Sequence, residues 1–159
     1  MNEKKFLRVL IVEDDENKKD RIQKYYQDTF EFDEVLWSSS LVSGLRVAKN
    51  TNPDFIILDM TLPNYEADAQ TGFNPMRPFG GREFLRQAVR LRLKSKIVVV
   101  TQFETFGAAP NLVDLSSLDF DLRKEFPDQY LGAIYYHASM SAWQKKLSEA
   151  REICKESIE

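Results

Sequence analysis

Acidic side chains follow two apolar runs of this chain, each at the point where the run ends. Glu13 and Asp14 follow residues 7–12 (LRVLIV), and Asp59 follows residues 55–58 (FIIL). If the runs are neighbouring parallel strands, their carboxyl ends meet at one edge of a sheet and the three carboxylates converge. Two such charges at ~4 Å and an effective dielectric of ~20 repel by about 4 kcal/mol. Either a raised pKa of one carboxyl group or a bound hard cation relieves this repulsion, and oxygen-only ligands suit Mg²⁺.

Two further polar residues end later apolar runs. Thr101 follows residues 96–100 (KIVVV), and His137 ends residues 130–137 (YLGAIYYH). A carboxylate beside Mg²⁺ can attack a phosphoryl group, because the metal neutralises charge on the transferred oxygens. A threonine hydroxyl at the neighbouring strand end can donate a hydrogen bond to a phosphoryl oxygen. The residues therefore predict phosphoryl acceptance at Asp59.

The elements that must position these residues alternate between strands and helices. Apolar runs without alternation indicate strands covered on both faces, so the pattern predicts an α/β fold. We expect a doubly wound, five-stranded parallel sheet with helices on both faces. In the first helix the spacing of the apolar residues predicts one apolar side with the lysines opposite. These residues are Ile22, Tyr25, Tyr26 and Phe30. The predicted strands are 7–12, 34–37, 55–58, 96–100 and 130–137, and the predicted helices are 15–30, 41–49, 82–93, part of 112–126, and one after Ser141.

Composition narrows the function classes. The chain has 159 residues and a net charge of −3, which predicts one domain over 1–159 and argues against nucleic-acid binding. The single cysteine, Cys154, has no disulfide partner, and a single histidine argues against zinc. No apolar run approaches the ~20 residues that cross a bilayer, so a cytoplasmic protein without membrane contact is expected. Two loops, near 64–80 and 104–112, are longer than a compact fold needs.

Four segments together resemble the receiver domain of response regulators in two-component signalling, a flavodoxin-like module. These segments are VLIVEDDENKKDRI (9–22), PDFIILDMTLP (53–63), GREFLRQA (81–88) and KIVVVTQF (96–103). The resemblance covers nearly the whole chain apart from the two long loops. Any one segment alone would be a weak signal, and their combination is specific.

The resemblance implies a role for each matching residue. Asp59 is expected to be the phosphoacceptor. Asp14 is expected to bind Mg²⁺ directly, Glu13 through water, and Thr61 through its backbone carbonyl. Thr101 is expected to be the switch hydroxyl that moves toward the phosphoryl group.

The chain departs from the family pattern near the end of the fifth strand. The family places a lysine there that contacts the phosphoryl group, and His137 is the expected replacement. A neutral imidazole can donate one hydrogen bond but lacks the fixed charge of an ammonium. Ile134 stands where the family has an aromatic residue that changes position on phosphorylation. The resemblance therefore does not imply that phosphorylation changes the conformation of this chain.

Further expectations follow from the resemblance. The phosphoryl donor would be a sensor histidine kinase or a phosphotransfer protein. The chain ends just after the fifth helix, so we expect no output domain and no direct DNA binding. Output would then be contact with a downstream protein, or service as a phosphoryl relay or sink, with a homodimer through the strand-five and last-helix face as an option. We expect no enzyme, only a phosphoacceptor that assists its own phosphorylation and dephosphorylation.

Two other functions stay open at this point. The first is a pseudo-receiver, an interaction module that keeps the fold without phosphorylation, which the absent lysine favours. The second is a haloacid-dehalogenase-like phosphatase, because residues 59–62 (DMTL) superficially resemble its nucleophile motif. That motif carries a second aspartate two residues on as the general acid, and Thr61 occupies this position.

Overall fold

One parallel sheet of five strands forms the centre of the protein. The computed structural model describes residues 6–67, 70–72 and 74–158. The strands are β1 (Arg8–Val12), β2 (Glu34–Ser38), β3 (Phe55–Leu58), β4 (Lys96–Thr101) and β5 (Tyr130–Tyr135). They are ordered β2-β1-β3-β4-β5, and every pairing is parallel. The doubly wound, flavodoxin-like architecture predicted from the sequence is confirmed.

Five helices connect and cover these strands. They are α1 (Glu16–Thr29), α2 (Leu41–Thr51), α3 (Gly80–Arg90), α4 (Leu115–Glu125) and α5 (Ala142–Ile158). The Asp15 side chain accepts a hydrogen bond from the Lys18 amide, and the Ser40 side chain accepts one from the Ser43 amide. Both residues therefore act as helix N-caps, as their types predict. No described helix is long and apolar enough to span a membrane.

Side-chain alternation along β1 divides the core into two layers. Val9 and Ile11 pack with α1 and α5 on one face of the sheet, and Leu10 and Val12 pack with α2, α3 and α4 on the other. Both faces are buried, which is why the strands read as unbroken apolar runs. The sheet therefore offers its carboxyl edge, rather than a face, to a ligand.

The buried face of α1 contains a lysine. Lys18, Ile22 and Tyr26 are all buried, at 2%, 1% and 0% exposure. The expectation that the lysines of this helix lie opposite the apolar side is therefore wrong for Lys18. Positions four residues apart share a helix face, so the spacing of Ile22 and Tyr26 extends back to Lys18. The long aliphatic stem of a lysine can cross the core while its ammonium reaches polar groups at the edge.

The two long loops leave the carboxyl edge of the sheet, and each contains a short two-stranded ribbon. Leu62–Pro63 pairs with Met76–Arg77, and Thr105–Phe106 pairs with Val113–Asp114, both antiparallel. The sequence indicated only irregular loop in these places, because strands of two residues carry no periodic signal. Residues 68, 69 and 73 of the first loop lie outside the described part of the chain.

Candidate functional site

Two acidic residues are buried where β1 and β3 end. Backbone hydrogen bonds continue the sheet by one residue beyond each strand: the Glu13 amide donates to the Ser38 carbonyl at 3.0 Å, and the Asp59 amide donates to the Val12 carbonyl at 2.9 Å. These bonds hold both residues at the carboxyl edge. Glu13 is 2% exposed and Asp59 is 7% exposed, so their carboxylates are shielded from water.

An ammonium group from α1 lies between these two carboxylates. Lys18 Nζ is 3.0 Å from Glu13 Oε1 and 3.3 Å from Asp59 Oδ1. The same atom donates a hydrogen bond of 2.7 Å to the carbonyl oxygen of Val100, the residue before Thr101. Lys18 therefore joins the ends of β1, β3 and β4 through one nitrogen.

The ammonium of Lys18 only partly offsets the cost of burying the Glu13 carboxylate. Neither Glu13 carboxylate oxygen accepts a hydrogen bond from the described groups, and the same holds for Asp59 Oδ1. Burial raises the pKa of Glu13 well above its usual value; the charge of Lys18 opposes this rise and the charge of Asp59 adds to it. Buried carboxylate oxygens without hydrogen bonds are costly unless a cation or a proton serves them.

Asp14 lies nearer the surface than Glu13. Its Oδ1 accepts a hydrogen bond of 3.4 Å from Asn74 Nδ2, which belongs to the first long loop. Burial raises the pKa of Asp14, and the charges of Asp59 and Asp15 add to the rise while the Asn74 contact opposes it. The first long loop therefore reaches back to the rim of the site through Asn74.

The described residues offer the type of ligand atom that a hard divalent cation prefers, but they do not form a complete set of ligands around one point. Within the described ranges, no three carboxylate, histidine or cysteine side chains are grouped so as to hold a metal ion. Glu13 and Asp59 nevertheless present buried oxygens without hydrogen bonds, and oxygen ligands suit Mg²⁺, which keeps several waters of its own. The structure thus brings two of the expected three carboxylates together, with Asp14 at the mouth.

The two threonines expected to contribute lie at the end of β4 and in the loop after β3. Thr101 is fully buried at the end of β4, and its Oγ1 accepts a hydrogen bond of 3.2 Å from the Phe103 amide. Thr61 is half-buried in the loop after β3, where its Oγ1 donates to the Pro78 carbonyl at 3.4 Å. The metal-ligand role of the Thr61 carbonyl and the switch role of Thr101 remain predictions.

His137 differs from expectation, because no hydrogen bond or ion pair among the described residues joins it to Asp59. The side chain is exposed, and its Nδ1 is 2.7 Å from Ser139 Oγ and 3.2 Å from the Ser139 amide nitrogen. Alternation beyond β5 directs the preceding side chain, Tyr136, into the core instead, 3% exposed. The Tyr136 ring centroid lies 5.9 Å from Lys18 Nζ. The ammonium beside Asp59 is therefore supplied by α1, and no ion pair joins His137 to a carboxylate in the described residues.

Sequence reasoning missed two residues of this site. Lys18 was assigned to a solvated face, although its helical spacing from Ile22 and Tyr26 could have revealed it. The other is Gly81, at the start of α3, where a Cβ atom would stand only 2.6 Å from the Asp59 carbonyl oxygen. Only glycine lets α3 approach the loop after β3 this closely, and the sequence alone does not show that approach.

A small cavity opens beside Lys18. Its volume is about 290 Å³, and it lies between the first turn of α1 and the segments that follow β4 and β5. Its lining includes Lys18, Arg21, Gln102 and Tyr136. Lys18 therefore lines a cleft that also includes a second cationic residue, Arg21.

Comparison with known proteins gives related sequences and a common fold. The chain is 43% identical over 146 residues to the uncharacterised protein y4jR of Sinorhizobium fredii, which covers 91% of this chain and 97% of that one. It is 23% identical over 149 residues to the Detocs response regulatory protein DtcB of Enterobacter cloacae, covering 90% and 99%. The crystal structure of a CheY-like response regulator receiver domain protein from Methanospirillum hungatei matches with a TM-score of 0.62 and 23% identity, covering 94% of both chains. No family model matches the chain.

Proposed function

The chain is a receiver domain of the response-regulator fold and belongs to one family with the Sinorhizobium fredii protein y4jR; from this premise we propose that it accepts a phosphoryl group on Asp59. The observation that carries the proposal is the position of Asp59, a buried carboxylate at the carboxyl end of β3, beside Glu13 and the Lys18 ammonium. The curated relative DtcB, named a response regulatory protein, supports the same role.

The proposed step is a phosphoryl transfer from a phosphohistidine. A carboxylate oxygen of Asp59 attacks phosphorus, the P–O bond of an acyl phosphate forms, and the P–N bond of the donor breaks. The donor ring carries a proton on its other nitrogen, so the imidazole leaves as a neutral group. Glu13, Asp14, Asp59 and the Thr61 carbonyl are the groups that would hold Mg²⁺, which supplies positive charge to the transferred oxygens.

The donor and the output follow from this chemistry. A sensor histidine kinase or a phosphotransfer protein supplies the phosphohistidine. The phosphorylated domain then signals by contact with a downstream protein, or passes the group on as a relay or sink. We propose no catalytic turnover of a separate substrate; the protein assists only the gain and loss of its own phosphoryl group.

Acetyl phosphate with Mg²⁺, followed by intact mass spectrometry, tests the proposal. We expect the protein to gain the mass of one phosphoryl group, and the Asp59→Asn variant to gain none. The gain should also disappear when EDTA removes the divalent cation. Wild-type protein that stays unmodified at saturating acetyl phosphate and Mg²⁺ would contradict the proposal.

The second candidate function is the pseudo-receiver, and one observation favours it. Lys18 already supplies a cation between Glu13 and Asp59, so the acids have a partner without metal or phosphoryl group. A pseudo-receiver would show no mass gain in the same experiment, and the variant Asp59→Asn would bind partners as the wild type does. The buried oxygens without hydrogen bonds favour the phosphoacceptor instead.

A further inference from the structure

The ammonium of Lys18 is the only lysine nitrogen that the described residues place in an ion pair with Asp59. We propose that Lys18, on the first helix, is the catalytic residue that contacts the phosphoryl group on Asp59 and neutralises its charge. The inference rests on the proposed function, and it moves this task from the end of the fifth strand to α1.

The position of Lys18 is fixed at both ends of the residue. Its amide donates to the Asp15 cap at 3.1 Å, and its Nζ donates to the Val100 carbonyl at 2.7 Å. The side chain is 2% exposed. A lysine loses much conformational freedom when it is buried in one rotamer, and its desolvated charge must be paired. The site therefore contains an ammonium that is oriented before any phosphoryl group arrives, which is the condition for electrostatic catalysis.

Charge accounting shows what this ammonium would do. Acetyl phosphate and the Asp59 carboxylate react to give an acyl phosphate and acetate: one P–O bond forms at Asp59, and the P–O bond to the acetyl group breaks. The negative charge on the transferred oxygens is then concentrated beside Asp59 Oδ1, from which Nζ is 3.3 Å. A charge-assisted hydrogen bond from Nζ stabilises those oxygens in the transition state and in the product.

The same nitrogen connects the phosphoryl site to the ends of β4 and β5. Its hydrogen-bond acceptor, Val100, precedes Thr101, and the Thr101 carbonyl accepts a hydrogen bond from the Tyr136 amide at 2.8 Å. The Tyr136 ring in turn lies near Nζ. A phosphoryl group that draws Nζ toward itself therefore competes with the Val100 carbonyl for the same donor. This gives the domain a route from charge at Asp59 to the two strand ends.

Three variants test the proposal in the full chain. Lys18→Met keeps the length of the stem and removes the charge, His137→Ala removes the expected replacement, and Lys24→Met removes an exposed lysine of the same helix, 79% exposed. Each is treated with acetyl phosphate and Mg²⁺ and followed by intact mass spectrometry, and its Mg²⁺ affinity is measured by calorimetry. Lys18→Gln takes the place of Lys18→Met if the methionine variant does not fold.

We expect Lys18→Met to accept the phosphoryl group about a hundredfold more slowly than the wild type. Its Mg²⁺ dissociation constant should fall by about tenfold or more, because a cation that shares the same carboxylate oxygens has gone. A lysine that only balanced the two acids would also tighten Mg²⁺ binding when replaced, but its loss would not slow phosphoryl acceptance at saturating Mg²⁺. The variants His137→Ala and Lys24→Met should match the wild type in both measurements.

The outcomes separate this inference from the proposed function. A folded Lys18→Met protein that gains the phosphoryl group at the wild-type rate overturns the role of Lys18 and leaves the role of Asp59 intact. A loss of rate in His137→Ala, equal to that in Lys18→Met, also overturns it. If the wild type accepts no phosphoryl group, the proposed function fails and this inference fails with it.

Discussion

At the scale of single residues, burial has different consequences for the ionisable groups of this protein. Glu13 and Asp59 are buried with an ammonium between them, so their charge is partly balanced and available for ligands. Cys154 is also fully buried, but its thiol only donates a hydrogen bond of 3.3 Å to the Asp54 carbonyl. The two kinds of buried group therefore differ in their partners. The carboxylates at the site contact an ammonium, whereas the Cys154 thiol contacts a backbone carbonyl.

The thiol of Cys154 should be inert in the folded protein. Burial raises the pKa of Cys154 to about 12, so the reactive thiolate is scarce at pH 8. We expect no reaction with Ellman's reagent over an hour in native buffer, and one thiol per chain after addition of guanidinium chloride. Stoichiometric labelling of the native protein within minutes would show that the core near α5 opens freely.

At the scale of elements, the site depends on how closely helices approach the ends of the strands. α1 contributes Lys18 because its N-cap, Asp15, starts the helix three residues earlier and sets the phase of its buried face. α3 contributes no charged group to the acids; its role is to support the loop after β3. Gly81 donates its amide to the Met60 carbonyl at 2.8 Å, directly after Asp59.

The variant Gly81→Ala tests this close approach. The added methyl would stand 2.6 Å from the Asp59 carbonyl oxygen, so α3 or the loop must shift. Alanine favours the helix by about 1 kcal/mol, yet overpacking costs about 1–3 kcal/mol. We expect a net loss of stability in chemical denaturation and slower phosphoryl acceptance.

The matched control is Gly72→Ala, whose added methyl would meet nothing within 4 Å. Only the positive φ of 68° at this position costs stability, so phosphoryl acceptance should stay normal. Equal acceptance rates in both variants would contradict the role assigned to Gly81.

At the scale of the whole molecule, a buried ion pair ties the last helix to the region where the sheet begins. Arg151 of α5 donates two hydrogen bonds to Asp33, at 3.0 and 3.1 Å. The Asp33 carboxylate also accepts the Leu7 amide at 2.9 Å and the Tyr26 hydroxyl at 2.5 Å. This network lies at the amino edge of the sheet, opposite the acidic site, and every acceptor oxygen of Asp33 is used.

Removal of Arg151 should destabilise the whole fold. Arg151→Met leaves the Asp33 carboxylate buried without its cation, which costs about 3–5 kcal/mol. The control is Arg8→Met, which breaks an ion pair with Glu34 whose side chains are 43% and 47% exposed, and such pairs contribute about 0–1 kcal/mol. The control also loses the hydrogen bond of 2.6 Å from Arg8 to the Thr51 carbonyl, which contributes about 1 kcal/mol. Urea denaturation followed by circular dichroism measures both. A loss below 1 kcal/mol in Arg151→Met would mean that the Tyr26 and Leu7 hydrogen bonds alone satisfy Asp33.

The sequence by itself determined the strands and the edge at which the acids lie. Unbroken apolar runs specify strands buried on both faces, and residues that directly follow such strands must lie at the carboxyl edge. For this reason the sequence places Glu13, Asp59 and Thr101 at this edge. The caps Asp15 and Ser40 were equally accessible, because a cap bonds to an amide only three residues away.

Only the tertiary structure decided which cation reaches Asp59. Lys18 Nζ contacts the carbonyl of a residue 82 positions later, and that contact depends on how α1 packs across the sheet. The spacing of residues within α1 does not show how the helix packs across the sheet. The sequence therefore predicts His137 instead, because it stands where the family has its lysine. The side chain of His137 faces solvent because strand alternation gives the inward place to Tyr136. The position of the Lys18 ammonium therefore follows from the packing of α1, whereas the positions of the acidic residues follow from the order of the strands.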